Sequence, residues 1–115
     1  MVVSHLVDAL RTRRFHYKGR DYPRSTNAIE QIVRDVTSTS LNEGLLVANE
    51  RIYNMLCLGV TVTEFIDGKK HAATIPIIDW ENVDRNRFVV TEELEVLSTD
   101  GTHTRRPDIV CYVNG

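Results

Sequence analysis

Little in this sequence supports the commoner kinds of catalysis. It has two cysteines, Cys57 and Cys111, each set among apolar neighbours, which predicts reduced, buried thiols rather than a disulfide framework. The four histidines (His5, His16, His71, His103) are scattered, with no spacing that puts two on one helical face or brackets a zinc ion. Gly59, Gly68 and Gly101 are isolated turn glycines, so a glycine-rich phosphate loop is excluded. No serine sits in a nucleophile elbow, and neither cysteine has a histidine nearby in sequence to activate it. No apolar run is long enough to span a bilayer, and the N-terminus lacks a signal-peptide core, so a cytoplasmic chain without a membrane partner is expected. Nucleophilic catalysis, nucleotide binding by this segment and zinc chemistry all lose support.

What is present is an ordinary globular composition. The chain has 115 residues, 42% hydrophobic and 26% charged, enough for one domain, or part of one, with a real core. The net charge of -2 conceals an asymmetry. Residues 1–24 carry six Lys/Arg (Arg11, Arg13, Arg14, Lys18, Arg20, Arg24) against two Asp/Glu, whereas residues 25–115 carry eight against fourteen. The basic segment suits nucleic acid, a solvated tail, or an arm packed on an acidic neighbour.

Hydrophobic spacing divides the chain into a basic N-terminal segment (1–24), helices (25–57) and a β-meander (58–115). Val3, Leu6, Val7 and Leu10 recur at the interval of a short amphipathic helix over Val2 to Arg11. Gly19 to Pro23 breaks that pattern. A second helix follows Ser25 or Thr26 as N-cap, with Ile29, Ile32, Val33 and Val36 as its stripe, a Glu30–Arg34 pair outside it, and Ser38-Thr39-Ser40 closing it. A third helix starts near Asn42, patterned by Leu45, Leu46, Ala48, Asn49, Ile52, Tyr53 and Leu56, and stops at Gly59.

From Gly59 the period becomes that of strands. Val60 to Ile66 reads as one strand, Asp67-Gly68 as a turn, and Ala72 to Ile78 as the return, with Pro76 forcing an edge or a bulge. Asp79 to Asn86 is a polar loop anchored by Trp80, the only tryptophan. Phe88 to Leu97 is a third strand whose charged middle (Glu92, Glu93, Glu95) faces water or a partner. Asp100-Gly101 turns the chain into a last strand from Arg105. The fold class expected is α/β (α+β): helices, then a mixed, mostly antiparallel sheet of four strands with a fifth missing.

That last strand carries the one candidate site. In Arg105-Arg106-Pro107-Asp108-Ile109-Val110-Cys111-Tyr112-Val113-Asn114-Gly115 a carboxylate opens an unbroken apolar run, which suits a strand buried on both faces. Asn114-Gly115 then supplies hairpin-turn residues. A hard cation such as Mg²⁺ needs carboxylate oxygens on a rigid element, and Asp108 between Pro107 and a strand is suitably placed. The plainer alternative is a strand-opening aspartate that satisfies a backbone N–H. Glu30 on the second helix is a second candidate ligand, or the surface partner of Arg34. Asp79 reads as a loop-shaping or capping residue. Arg105 and Arg106 could hold backbone phosphates, or be a solvated pair.

Three blocks carry a family resemblance: Asn49-Glu50-Arg51-Ile52-Tyr53 with Leu58-Gly59-Val60-Thr61-Val62; Ile77-Ile78-Asp79-Trp80-Glu81-Asn82 with Asn86-Arg87-Phe88-Val89-Val90; and Arg106 to Gly115. Over roughly residues 45–115 the chain resembles the N-terminal nuclease region of the R (restriction and motor) subunit of type I restriction enzymes; residues 1–40 match only in being helical. The resemblance implies a restriction-endonuclease-like PD-(D/E)xK fold with Asp108 as a Mg²⁺ ligand. It also implies a following strand with a Glu-x-Lys that supplies the second ligand and the lysine that activates or orients the attacking water. This sequence stops before any Glu-x-Lys, so the fragment alone is expected to be inactive. The parent would bind ATP outside this segment, and its partners would be DNA and the modification and specificity subunits. Two rivals remain: a non-catalytic interaction module that dimerises through an open sheet edge beside Val110 to Val113, and another PD-(D/E)xK nuclease of repair or recombination.

Overall fold

The structure is a computed structural model, and it describes residues 1–38, 42–92 and 94–115. Helix α1 (Val3–Arg11) follows the predicted spacing and buries Leu6, Ala9 and Leu10. It ends at Thr12, whose hydroxyl donates to the Ala9 carbonyl at 2.6 Å. Helix α2 (Thr26–Thr37) starts where Ser25 Oγ accepts the Ala28 N–H at 3.1 Å, satisfying one of the free N–H groups of the first turn. Its Ala28, Ile29, Ile32 and Val36 face inward, and the Glu30–Arg34 pair lies outside at 3.9 Å. Of the residues expected to close α2, Thr39 and Ser40 lie outside the described residues.

Helix α3 (Leu45–Leu58) begins three residues later than the expected Asn42 and ends at Gly59, where φ is 88°. A Cβ at Gly59 would also stand 2.6 Å from the Ile75 carbonyl oxygen, so glycine is required there twice over. The helix is apolar on several faces and can bury only one. Ala48 is buried, Met55 and Leu56 pack against the core, and Leu45, Leu46, Tyr53 and Leu58 stay exposed.

All strand pairings are antiparallel, and the class is mixed α/β as expected. The arrangement differs from the expected four-stranded meander: among the described residues the strands form four two-stranded sheets, one of them pairing β strands that are not neighbours in sequence. The first, β1 (Arg14–Tyr17) with β2 (Arg20–Pro23), lies inside the basic segment and was not anticipated. Its turn residues Lys18 and Gly19 both take positive φ, and Lys18 is no usual turn former. Next come β3 (Val60–Ile66) and β4 (Lys69–Ile75), joined by Asp67-Gly68 and paired from Val60↔Ile75 to Ile66↔Lys69. β4 stops before Pro76 rather than reaching Ile78, since proline has no N–H for the ladder. Alternation along β3 puts Val60, Val62, Glu64 and Ile66 inward and Phe65 outward. A one-residue slip would free Glu64 but expose three aliphatic residues, so the carboxylate is buried. Glu64 Oε1 accepts the Ser25 N–H at 3.2 Å, which couples the sheet to the start of α2.

The last two sheets form one arm. β5 (Phe88–Glu92) pairs with β8 (Ile109–Val113), and beyond them β6 (Val96–Leu97) pairs with β7 (Thr104–Arg105) around the Asp100-Gly101 turn. The expected continuous strand from Phe88 to Leu97 is thus broken, and Glu93 lies outside the described residues. The final strand is corrected twice. Arg106 to Asp108 lie outside any strand, and β8 is not buried on both faces: Ile109 is 62% exposed, while Val110 and Tyr112 are half-buried. A two-stranded ribbon has no second layer to cover its outer face. The buried-thiol expectation fails for a related reason, because Cys111 lies on that outer face and Cys57 on the uncovered side of α3; both are exposed.

The core brings α1, α2 and the β3–β4 hairpin together around Leu6, Leu10, Ile32, Val60, Val62, Ile75 and Ile77. The molecule measures 53 × 34 × 21 Å with a radius of gyration of 16.4 Å, longer than the ~13 Å of a compact chain of about this size. Among the described residues no helix is long and apolar enough to cross a membrane.

Candidate functional site

Asp108 stands at the mouth of β8, exposed, with Pro107 before it and Ile109 opposite Glu92 after it. Among the described residues its carboxylate has no hydrogen-bond or ion-pair partner, so it is not spent on a neighbouring backbone N–H. Arg105 pairs across β7 with Val96, and both Arg105 and Arg106 are exposed on the same approach to the strand.

Glu30 is elsewhere. It points from α2 to solvent, 3.9 Å from Arg34, and lines a cavity of about 230 Å³ with Val7, Arg11, Thr26, Ile29 and Val33. No ion pair joins it to Asp108 among the described residues. Nor do three His, Cys, Asp or Glu side chains among those residues come together in a way that could hold a metal. Asp108 offers the oxygen donor that Mg²⁺ prefers and an open approach for water, but one carboxylate is not a metal centre. The residues present do not complete one.

Asp79 caps its loop as expected: its Oδ1 accepts the N–H groups of Asn82 at 2.8 Å and Glu81 at 3.2 Å. Trp80 is a weaker anchor than expected. Its ring is 62% exposed, and only its indole N–H is held, donating to the Leu56 carbonyl at 3.2 Å.

What holds the arm to the body is a buried polar hub. Arg13, 3% exposed, donates to the Pro76 carbonyl at 3.3 Å, the Arg85 carbonyl at 3.2 Å, the Ile77 carbonyl at 3.4 Å and Asn86 Oδ1 at 3.1 Å. Asn114, 2% exposed, donates through Nδ2 to the Ile77 carbonyl and to Asn86 Oδ1, each at 2.9 Å. Its Oδ1 accepts the Arg87 N–H at 2.7 Å. Asn86 closes the hub by donating to the Asp79 and Val83 carbonyls. Burial lowers the pKa of Arg13; nearby Asp79 raises it again and Arg85 opposes that.

Asn114 and Gly115 both have positive φ, as the hairpin reading of Asn-Gly requires. The Val2 N–H donates to the Gly115 carbonyl at 2.8 Å, and a Cβ at Gly115 would fall 2.2 Å from the Val2 carbonyl oxygen.

Sequence reasoning therefore found Asn114 as a turn residue and missed it as a hub. It counted Arg13 among possible nucleic-acid contacts, whereas Arg13 is a structural bolt. Arg24 is likewise half withdrawn: it stacks over Phe15 at 4.6 Å, and burial lowers its pKa against the pull of Glu64. The signal that could have found Arg13 is its place next to the closing turn of α1, where a helix phase continued past Leu10 points it inward.

The family model described as "Type I restriction enzyme R protein N terminus" matches residues 3–115. Over 89 residues (77% of this chain, 8% of the relative) the chain is 33% identical to the type I restriction enzyme HindI endonuclease subunit of Haemophilus influenzae. Over 64 residues (55% and 6%) it is 36% identical to a putative type I restriction enzyme MjaIXP endonuclease subunit of Methanocaldococcus jannaschii. The matches span less than a tenth of the length of either relative. No solved structure matches the chain.

Proposed function

From the premise that the chain belongs to the family of type I restriction enzyme R protein N-termini, we propose that it is the N-terminal part of a Mg²⁺-dependent DNA endonuclease region of the PD-(D/E)xK kind. The relatives' names place them in restriction enzymes, and modification and specificity subunits are the partners this reading gives to the intact protein. The observation that carries it is Asp108: exposed, without a polar partner among the described residues, and held at a strand mouth by Pro107 and the β5 ladder.

In this reading Asp108 contributes one ligand, and a Glu-x-Lys supplied from elsewhere in the subunit contributes the rest. The metal would lower the pKa of a bound water and stabilise charge on the phosphate. Arg105 and Arg106 flank Asp108 and are suited to backbone phosphates, contacts that fix position without reading sequence. Changing Asp108→Ala in the intact subunit abolishes DNA cleavage and spares ATP hydrolysis. Cleavage that persists in that variant overturns the assignment.

A second reading rests on a different observation. β8 pairs with β5 alone among the described residues, and Phe88, Val90, Ile109 and Val113 on the outer face of this ribbon are exposed. A free edge beside an apolar face favours strand addition by a second copy or another subunit. Sedimentation of the chain as a monomer at high concentration counts against self-association.

A further inference from the structure

We propose that a polar cleft beside the β1–β2 hairpin binds a phosphodiester of a nucleic-acid backbone through Arg14 and Arg85. The proposal deepens the endonuclease reading and rests on it. The cleft, about 420 Å³, is lined by Thr12, Arg14, His16, Asp21 and Arg85. It is not the site at Asp108: Arg85 adjoins the hub that holds Asn114, at the opposite end of β8 from Asp108.

Two arginines from distant parts of the sequence, Arg14 and Arg85, line this one cleft, and the fold itself brings them there. Arg13 donates to the Arg85 carbonyl across 72 residues of sequence, so the backbone that carries the Arg85 side chain is fixed to the backbone that carries Arg14. Like charges brought to one cleft repel unless an anion joins them. The protein supplies no adequate one. Among the described residues the one carboxylate lining the cleft, Asp21, lies 2.9 Å from His16 Nδ1. Three other surface arginines have acidic partners: Arg11 and Arg87 approach Asp8, and Arg34 approaches Glu30. Among the described residues Arg14 and Arg85 form no ion pair.

The chemistry fits phosphate. A guanidinium presents a planar fork that matches two phosphate oxygens, and two such forks can hold one diester from both sides. A polar cleft open to solvent is the wrong environment for an apolar small molecule, whose sites are concave and mainly apolar. A polymer is favoured over a free anion because the positive charge continues past the cleft. Lys18 and Arg20 extend it along the same hairpin, giving a strip rather than a point.

The test is titration of a fluorescently labelled DNA duplex with the chain at several salt concentrations. The double variant Arg14→Gln, Arg85→Gln should bind about tenfold more weakly at moderate salt and lose about two units of salt-dependence slope. The variant with lysine at both positions should keep the slope. Both side chains are exposed, and neither is used by the hub, so circular dichroism should show an unchanged fold; Arg85→Glu alone is the second variant if the pair fails to fold. Wild-type affinity and slope in a folded double variant overturn the proposal. So does binding of inorganic phosphate at the cleft without binding of the duplex. Cleavage by the intact subunit separates the two readings. If Asp108→Ala is inactive while the arginine variant binds normally, the cleft falls and the nuclease stands. If the arginine variant loses binding while Asp108→Ala still cleaves, the reverse holds.

Discussion

The body and the arm of this protein are built from similar residues with opposite results. In the body, β3 is covered by α2, with Leu6 and Leu10 of α1 in the same core, and every second side chain is buried. In the arm, β5 and β8 are as apolar as β3, yet no residue of either strand is buried. What separates them is whether a second layer is present, and apolar content alone does not supply one. The body therefore carries the stability, while the arm presents Asp108, Arg105 and an apolar face to whatever meets them.

The sharpest way to break this contrast is to cut the same amount of side chain from each region. Leu10→Ala or Ile32→Ala, at positions with no exposure, should cost about 3–5 kcal/mol in a denaturant titration, enough to unfold much of a marginal domain. Ile109→Ala in the arm should cost no more than about 0.5 kcal/mol. A comparable loss at Ile109 would mean the arm is part of the same core.

Next in size is the joint between the two regions. Arg13→Met keeps much of the side-chain bulk but removes the Arg13 bonds to the Pro76, Ile77 and Arg85 carbonyls and Asn86 Oδ1, of which Ile77 and Asn86 keep Asn114 as donor. The expected loss is on the order of 2–4 kcal/mol by thermal unfolding, with partial recovery in Arg13→Lys, which can reach fewer acceptors. An unchanged melting temperature would show that the arm does not depend on this bolt.

The smallest effect sits at the arm's tip. The Ser98 hydroxyl donates to Asp100, and the Thr102 N–H adds a second bond at 3.1 Å; together they lower the carboxyl pKa to about 2. A depressed folded-state pKa contributes stability above the ordinary carboxylate range, and that contribution disappears as pH falls through the folded value. Protection of the Thr102 and His103 amides, taken relative to the intrinsic exchange rate at each pH, should therefore fall between about pH 4 and pH 2 while the body is unaffected. Equal loss of protection in β3 would contradict independent behaviour of the two regions.

Local signals were legible in the sequence, and long-range ones were not. Ser25 as a cap, Asp67-Gly68 and Asp100-Gly101 as turns, Pro76 as a strand breaker and Asp79 as a loop cap are each decided within a few residues. The Lys18-Gly19 turn was missed because lysine takes positive φ there against its own preference. Burial of β8 was misjudged because an apolar run reports suitability for a core and not the presence of a covering layer. At the candidate site the position of Asp108 followed from Arg-Pro-Asp before an apolar run. The separation of Glu30 from it did not, since that depends on how α2 packs. Arg85 in a cleft with Arg14 was invisible for the same reason, because nothing near Arg85 in sequence points to residue 14.

The Arg13 bolt also bears on how the chain folds. Its four acceptors outside its own turn lie 63 to 73 residues away in sequence. The β3–β4 hairpin needs only its own turn and should form in about 1–10 µs, but a bond across such a separation must wait until most of the chain has been gathered in. The bolt should therefore close late, on the native side of the rate-limiting barrier. Arg13→Met would then speed unfolding far more than it slows folding. On that view, the Arg13 guanidinium lengthens the lifetime of a joint between body and arm that Asn114 also holds.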